Sequence, residues 1–147
     1  MDRKVILTYY DVEDNIAEEL VNAHQIDELK FQVKNVPFFA PNISYDDIIA
    51  VENDEGVLYF EELLEPSEHS TVQIVFFNLV EIPNVIKGIE ELECNWEGFS
   101  EQTIIAIDIP PSIDYKMVKH YLDTKANEGV LDYKEACLSD THKSNLS

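Results

Sequence analysis

The 147-residue sequence predicts an α+β fold, with an N-terminal antiparallel β-hairpin and meander region joined to a ferredoxin-like βαβα half. Three observations lead there. Two apolar runs, Asp47-Ile48-Ile49-Ala50-Val51 and Val57-Leu58-Tyr59-Phe60, flank the turn-rich Glu52-Asn53-Asp54-Glu55-Gly56, the pattern of a hairpin with a short loop. Two further β-rich runs, at 70–77 (STVQIVFF) and 103–109 (TIIAIDI), are each followed by a stretch with apolar residues at helical spacing, which suits a split arrangement with helices on one sheet face. Finally, 45% hydrophobic and 10% aromatic residues, against only four Gly and six Pro, give a chain that folds despite its acidity.

The elements follow in order. Residues 5–10 (VILTYY) are β-branched and aromatic and open the fold as a strand. In 11–23, Val12, Ile16, Leu20 and Ala23 fall near helical spacing among acidic residues, so a short helix or an acidic loop is expected. Leu29-Lys30-Phe31-Gln32-Val33 alternates apolar and polar, the mark of a half-buried strand. Val36–Ile43 holds Pro37 and Pro41, each lacking a backbone donor, yet also two phenylalanines that need burial; a packed loop follows. After the hairpin and the 70–77 strand, apolar residues at 85, 86, 89 and 92 define a helical face with Asn84 as its N-cap. Trp96 and Phe99 flank a turn at Gly98, and Pro110-Pro111 stops the 103–109 strand. Ser112 or Asp114 caps a helix on which Tyr115, Val118, Tyr121 and Leu122 share a face and which Gly129 ends. Residues 130–137 close the fold. A single domain over 1–138 and a frayed polar tail over 139–147 are expected.

Ten Lys plus Arg stand against thirty Asp plus Glu, a formal charge of −20. A nucleic-acid binder must neutralise phosphates with cations, and a peripheral membrane protein needs a cationic face; both classes are excluded. No apolar run approaches a membrane span of about 20 residues and no signal-peptide core opens the chain, so a soluble cytosolic protein is expected. Cys94 and Cys137, far apart in helix-like segments, are expected as reduced thiols.

Several short motifs, in this order and spacing, resemble a bacterial family catalogued as domain of unknown function 4265. They are Val36-Pro37-Phe38-Phe39-Ala40, Asp46-Asp47-Ile48-Ile49-Ala50 and Pro66-Ser67-Glu68-His69-Ser70-Thr71-Val72-Gln73-Ile74. Ala106-Ile107-Asp108-Ile109-Pro110 and the closing 129–136 stretch (GVLDYKEA) complete the set, over about residues 25–138. Where the family pattern has a Gly before the histidine and an Arg after the Ser-Thr pair, this chain has Glu68 and Gln73. The resemblance implies the organisation of the fold and brings no established activity.

The candidate chemistry is sparse. In Glu68-His69-Ser70-Thr71 a histidine adjoins a hydroxyl, the ingredients of a base–nucleophile pair, but neighbours on a strand point to opposite faces. The carboxylates of 46–55 do not have the spacing of a calcium loop, and His24, His69, His120 and His142 are scattered, so no metal is expected. Four isolated glycines form no phosphate-binding loop, and no cofactor is expected. Trp96 is either a core plug or a stacking surface for a ligand.

Charge distribution remains. Between Lys34 and Lys87 the chain has no Lys or Arg, while carboxylates recur from Asp46 to Glu81. Such a surface either serves solubility or receives a basic partner. The expected function is a small acidic interaction protein without catalytic residues, most concretely an immunity-type inhibitor of a basic toxin such as a nuclease. Its partner-binding residues would be Asp46, Asp47, Asp54, Glu55, Glu61 and Glu62, with Tyr59 and Phe60 as anchors. The alternative is a small-molecule binder or minor enzyme with a pocket near His69, Trp96 and Asp108. Oligomeric state is not written in the sequence.

Overall fold

The computed structural model describes residues 2–98 and 103–147. The chain is mixed α+β and strand-rich, in two halves. In the first, β1 (Asp2–Tyr10), β2 (Ile16–Asp27), β3 (Lys30–Val33), β4 (Ile48–Asp54) and β5 (Val57–Glu65) form a closed barrel. Consecutive strands pair antiparallel, and parallel pairing of β1 with β5, Val5 with Leu58 and Ile6 with Tyr59, closes the ring. The hairpin expected around 52–56 is present with a tighter turn: Glu55 (φ 53°) and Gly56 (φ 91°) both take the left-handed conformation that a two-residue hairpin loop demands.

The helix-or-loop expectation for 11–23 is corrected. Only the turn at Asp11–Asn15 is irregular; β2 follows it, antiparallel to β1 along nine residue pairs. The apolar residues that suggested a helix, Val12, Ile16 and Leu20, are 92%, 68% and 62% exposed. Val21 and Ala23, at the strand period of two, are fully buried in the barrel. The helical spacing was coincidental, because tertiary pairing selected the other periodicity.

The second half contains β6 (Ser70–Phe76), α1 (Ile82–Glu91), β7 (Asn95–Gly98), β8 (Ile104–Ile109), α2 (Tyr115–Asn127) and β9 (Leu131–Cys137). Its sheet has the order β7-β8-β6-β9, and every neighbouring pair is antiparallel. The βαβα expectation omitted β7 and β9, whose polar residues mask a strand signal. Cys94 accordingly lies in the turn after α1 and Cys137 ends β9, neither in a helix. Gly98 belongs to β7 and is not a turn; Phe99 lies outside the described residues.

Val72, Ile74, Ile105 and Ile107 on one sheet face pack with Val85 and Ile89 of α1 and Val118 and Leu122 of α2. Each such fully buried aliphatic side chain contributes roughly 1.5–3 kcal/mol. The helices approach closely because position 88 is glycine: a Cβ there would sit 2.2 Å from the Tyr121 hydroxyl oxygen. Asp114 caps α2 by accepting from the Lys116 N–H, as expected. Asn84 does not cap α1; Glu81 occupies that position without a side-chain bond, and Asn84 lies inside the first turn. Gly129, at φ 78°, ends α2 by donating to Ala126, while Val130 donates to Lys125. The tail is not frayed: α3 (Asp140–Asn145) forms there, capped by Ser139, with His142 wholly buried.

The Val36–Ile43 segment, between β3 and β4, is irregular and packed, as expected, and lies against the sheet of the second half. Val36 and Phe38 lie against Ala106 on the sheet face opposite the helices. Gln73 of β6 donates to the Phe38 carbonyl at 2.8 Å.

Candidate functional site

Two places concentrate polar side chains. The first is the outer surface of the β4–β5 hairpin. Asp54 and Glu55 stand exposed at its tip, where the Asn53 side chain accepts from the Gly56 N–H and Arg3 donates to the Gly56 carbonyl. Register shifts between Ile48 and Ile49 and between Ala50 and Val51 mark bulges in this ladder. They let the consecutive residues Glu61 and Glu62 both face solvent, which strict alternation forbids. Among the described residues, no ion pair engages Asp54, Glu55, Glu61 or Glu62; Glu65 alone on this hairpin meets a cation, Lys30, at 3.6 Å. Tyr59 and Phe60 are both half-buried, and Phe60 packs against the barrel core, so it is not an anchor on the outer face.

Asp46 and Asp47 belong elsewhere, to the loop before β4. Asp46, at φ 69°, pairs with Lys34 at 2.7 Å. Asp47 is 3% exposed, and its carboxylate accepts from the Ser44 and Ser67 N–H groups, both at 2.8 Å. Burial pushes its carboxyl above the ordinary range, against the pull of those donors. Asp47 is therefore a loop clamp and not a contact residue.

The second place is the seam between barrel and sheet, where the Glu68-His69-Ser70-Thr71 corner sends each side chain to a different partner. Glu68, at φ 68°, accepts from the Thr141 N–H at 2.9 Å and hydroxyl at 2.8 Å. Those bonds hold its carboxyl below the ordinary range. His69 Nδ1 donates to the Asp108 carboxylate at 2.9 and 3.2 Å, and its Nε2 lies 4.0 Å from Asp46. The Asp108 bond raises the imidazole pKa, opposed by burial and aided by the Asp108, Asp46 and Asp47 charges. Ser70 meets not His69 but His142: Nε2–H of His142 donates to the Pro110 carbonyl at 3.0 Å, leaving Nδ1 to accept the Ser70 hydroxyl at 2.5 Å. Both residues are 0% exposed, so this pair fastens α3 and reaches no substrate. Thr71 donates to the Ser44 hydroxyl at 3.1 Å.

The expected pocket of His69, Trp96 and Asp108 does not form as such. Asn95 pairs with Asp108 and Trp96 with Ile107, so Trp96 lies on the helix-covered face, where its indole N–H donates to Glu90 at 3.3 Å. His69 and Asp108 share the opposite face. A cavity of about 200 Å³ beside His69 is lined by Asp47, Glu68, Ser139 and Asp140, among others. Burial pushes the Cys94 thiol up to about 12, so no reactive thiolate forms there at neutral pH. Among the described residues, no three His, Cys, Asp or Glu side chains are grouped to hold a metal ion. No helix among them is long and apolar enough to cross a membrane.

Sequence reasoning missed two carboxylates at the seam. Glu19 of β2 accepts from the N–H groups of Phe38, Phe39 and Ala40, and Glu97 of β7 accepts from the Val36 N–H. Burial, helped by the Asp108 and Glu19 charges, raises the Glu97 carboxyl. The signal for Glu19 was its place between Ala17 and Val21 on the inward parity of β2.

This arrangement of loop, corner and closing strand agrees with a family model, domain of unknown function 4265, which matches residues 18–133. The chain belongs to that family. Among solved structures, it is similar to a hypothetical protein from Neisseria gonorrhoeae. That likeness has 29% sequence identity and a TM-score of 0.86, and covers 95% of this chain and 96% of the other. No curated protein matches the chain. The family thus carries the fold and, by its own description, no assigned activity.

Proposed function

We propose that the chain is a non-enzymatic binding protein that receives a basic partner on the outer face of the β4–β5 hairpin. Its most concrete form is an immunity-type inhibitor acting in the cytosol, whose carboxylates occupy the cationic cleft of a toxin such as a nuclease. One observation supports this reading above others: Asp54, Glu55, Glu61 and Glu62 are exposed on one hairpin and engaged by no cation among the described residues. Gathering like charges costs stability through self-repulsion, and a partner's cations would relieve it while steering encounter. Tyr59, half-buried beside them, is the aromatic anchor. We read the second half as a ferredoxin-like βαββαβ unit, supported by the order β7-β8-β6-β9 with all neighbours antiparallel. It serves as the support on which the barrel is mounted.

The test is a quadruple variant, Asp54→Lys, Glu55→Lys, Glu61→Lys and Glu62→Lys, compared with the parent as bait in lysate at low salt and at about 0.5 M, where exposed charges are screened. The expected result is one basic protein held by the parent, released by salt and lost by the variant. Capture that the folded variant retains in full would overturn the proposal.

A further inference from the structure

The mouth of the barrel holds a cavity that the hairpin face does not use. Its interior is packed solid around Val5, Val21, Phe31 and Leu58, all at most 3% exposed. One layer above, Tyr9, Phe60 and Leu63 are only partly buried against that core. Between them and the Ala40–Ile43 loop lies a cavity of about 480 Å³. That volume is within the roughly 300–1,000 Å³ of small-molecule sites, and a barrel mouth is one of their common positions. Its wall is preformed: the Asn42 N–H donates to the Ala136 carbonyl at 3.0 Å, and Ile43 is 4% exposed.

We propose that this mouth binds a small organic cation with an apolar body, an aryl- or alkylammonium. The apolar body would lie on Leu7, Ile43 and Leu63, and the cationic head against the rings of Tyr9, Tyr10 and Phe60, whose faces attract cations. The cavity adjoins a second one of about 260 Å³ that shares Tyr9, Tyr10 and Pro41 and adds Asp11 and Lys134. Asp11 lines this entrance together with the ammonium of Lys134, and burial, aided by the Glu19 and Asp11 charges, raises the pKa of the Tyr9 phenol. With a chain charge of −20, an anion is repelled from this mouth and a cation drawn to it. Phe60 and Leu63 of β5 line this cavity, whereas Tyr59, Glu61 and Glu62 of the same strand belong to the hairpin face.

The full chain, carbon-13-labelled in its tyrosine rings, would be titrated with benzyltrimethylammonium and, separately, with phenylacetate. Saturable shifts confined to the Tyr9 and Tyr10 rings are expected with the ammonium, and affinity for phenylacetate at least about tenfold weaker. Leu63→Trp fills the cavity and should abolish binding. Tyr10 is 69% exposed, so Tyr10→Ala leaves the fold intact and should weaken the ammonium about threefold or more. No saturable shift with benzyltrimethylammonium, equal affinity for phenylacetate, or undiminished binding in Tyr10→Ala would each overturn the proposal.

Discussion

The hairpin face and the barrel–sheet seam are built from the same residue types and do opposite things with them. On the hairpin, Asp54, Glu55, Glu61 and Glu62 point into water and meet no cation among the described residues. At the seam, Glu19, Asp47, Glu68, Glu97 and Asp108 are consumed by backbone N–H groups, a threonine and a histidine. A carboxylate that accepts several N–H bonds is worth far more to stability than one in water, because removing it strands buried donors. The acidity of the chain is therefore two populations, one fastening loops to strands and one left over for a surface. Only the second is available to a partner.

Four measurements break or sharpen that contrast. The largest effect is expected from Asp108→Ala, which leaves His69 beside an empty buried position: about 3 kcal/mol of lost stability by urea denaturation. An effect below 1 kcal/mol would show that the pair does not hold the seam. Glu19→Ala should follow at about 2 kcal/mol, since three loop N–H groups lose their acceptor; the amides of residues 38–40 should then exchange faster with solvent.

A third measurement is the pH dependence of the seam. The folded-state pKa of His69 is raised, so its pairing with Asp108 contributes fully below the ordinary histidine value of about 6.5 and is lost as pH rises through the raised value. The stability gap between the parent and His69→Gln should then close on going from about pH 6 to about pH 9. Glu68 has the opposite sense: its pKa is lowered, so its hold on Thr141 is present above about 4.3 and lost as pH falls through the lowered value. The smallest effects are expected on the hairpin. Glu61→Gln and Glu62→Gln should each change stability by no more than about 0.5 kcal/mol, with relief of self-repulsion favouring a slight gain. A loss above about 1 kcal/mol at either would place that residue with the seam carboxylates.

Legibility followed the local signals. The hairpin, β3, β6, β8, the Asp114 cap and the Gly129 stop were readable because turn chemistry, alternation and capping act over a few neighbouring residues. The β2 strand was not, since Val12, Ile16, Leu20 and Ala23 mimic a helical stripe while the pairing with β1 buries Val21 and Ala23 instead. Of the residues expected on the partner face, Asp54, Glu55, Glu61 and Glu62 are exposed on one hairpin, but Asp46, Asp47 and Phe60 are turned to structural contacts. His142 was hidden inside a segment whose Ser- and Asn-rich composition reads as a tail. Its burial depends on Ser70 and Pro110, 72 and 32 residues away.

By itself, the sequence determined the mixed α+β class, the family, the excess of negative charge and the places where the chain must turn, all matters of composition and near neighbours. Tertiary structure alone decided that the first five strands close into a barrel and that Ser70 meets His142 and not His69. It also decided which carboxylates are spent inside and which remain on the surface. The reason is physical: a side chain's partner across a seam is set by strand register and loop closure between residues distant in sequence, and no local pattern encodes that distance.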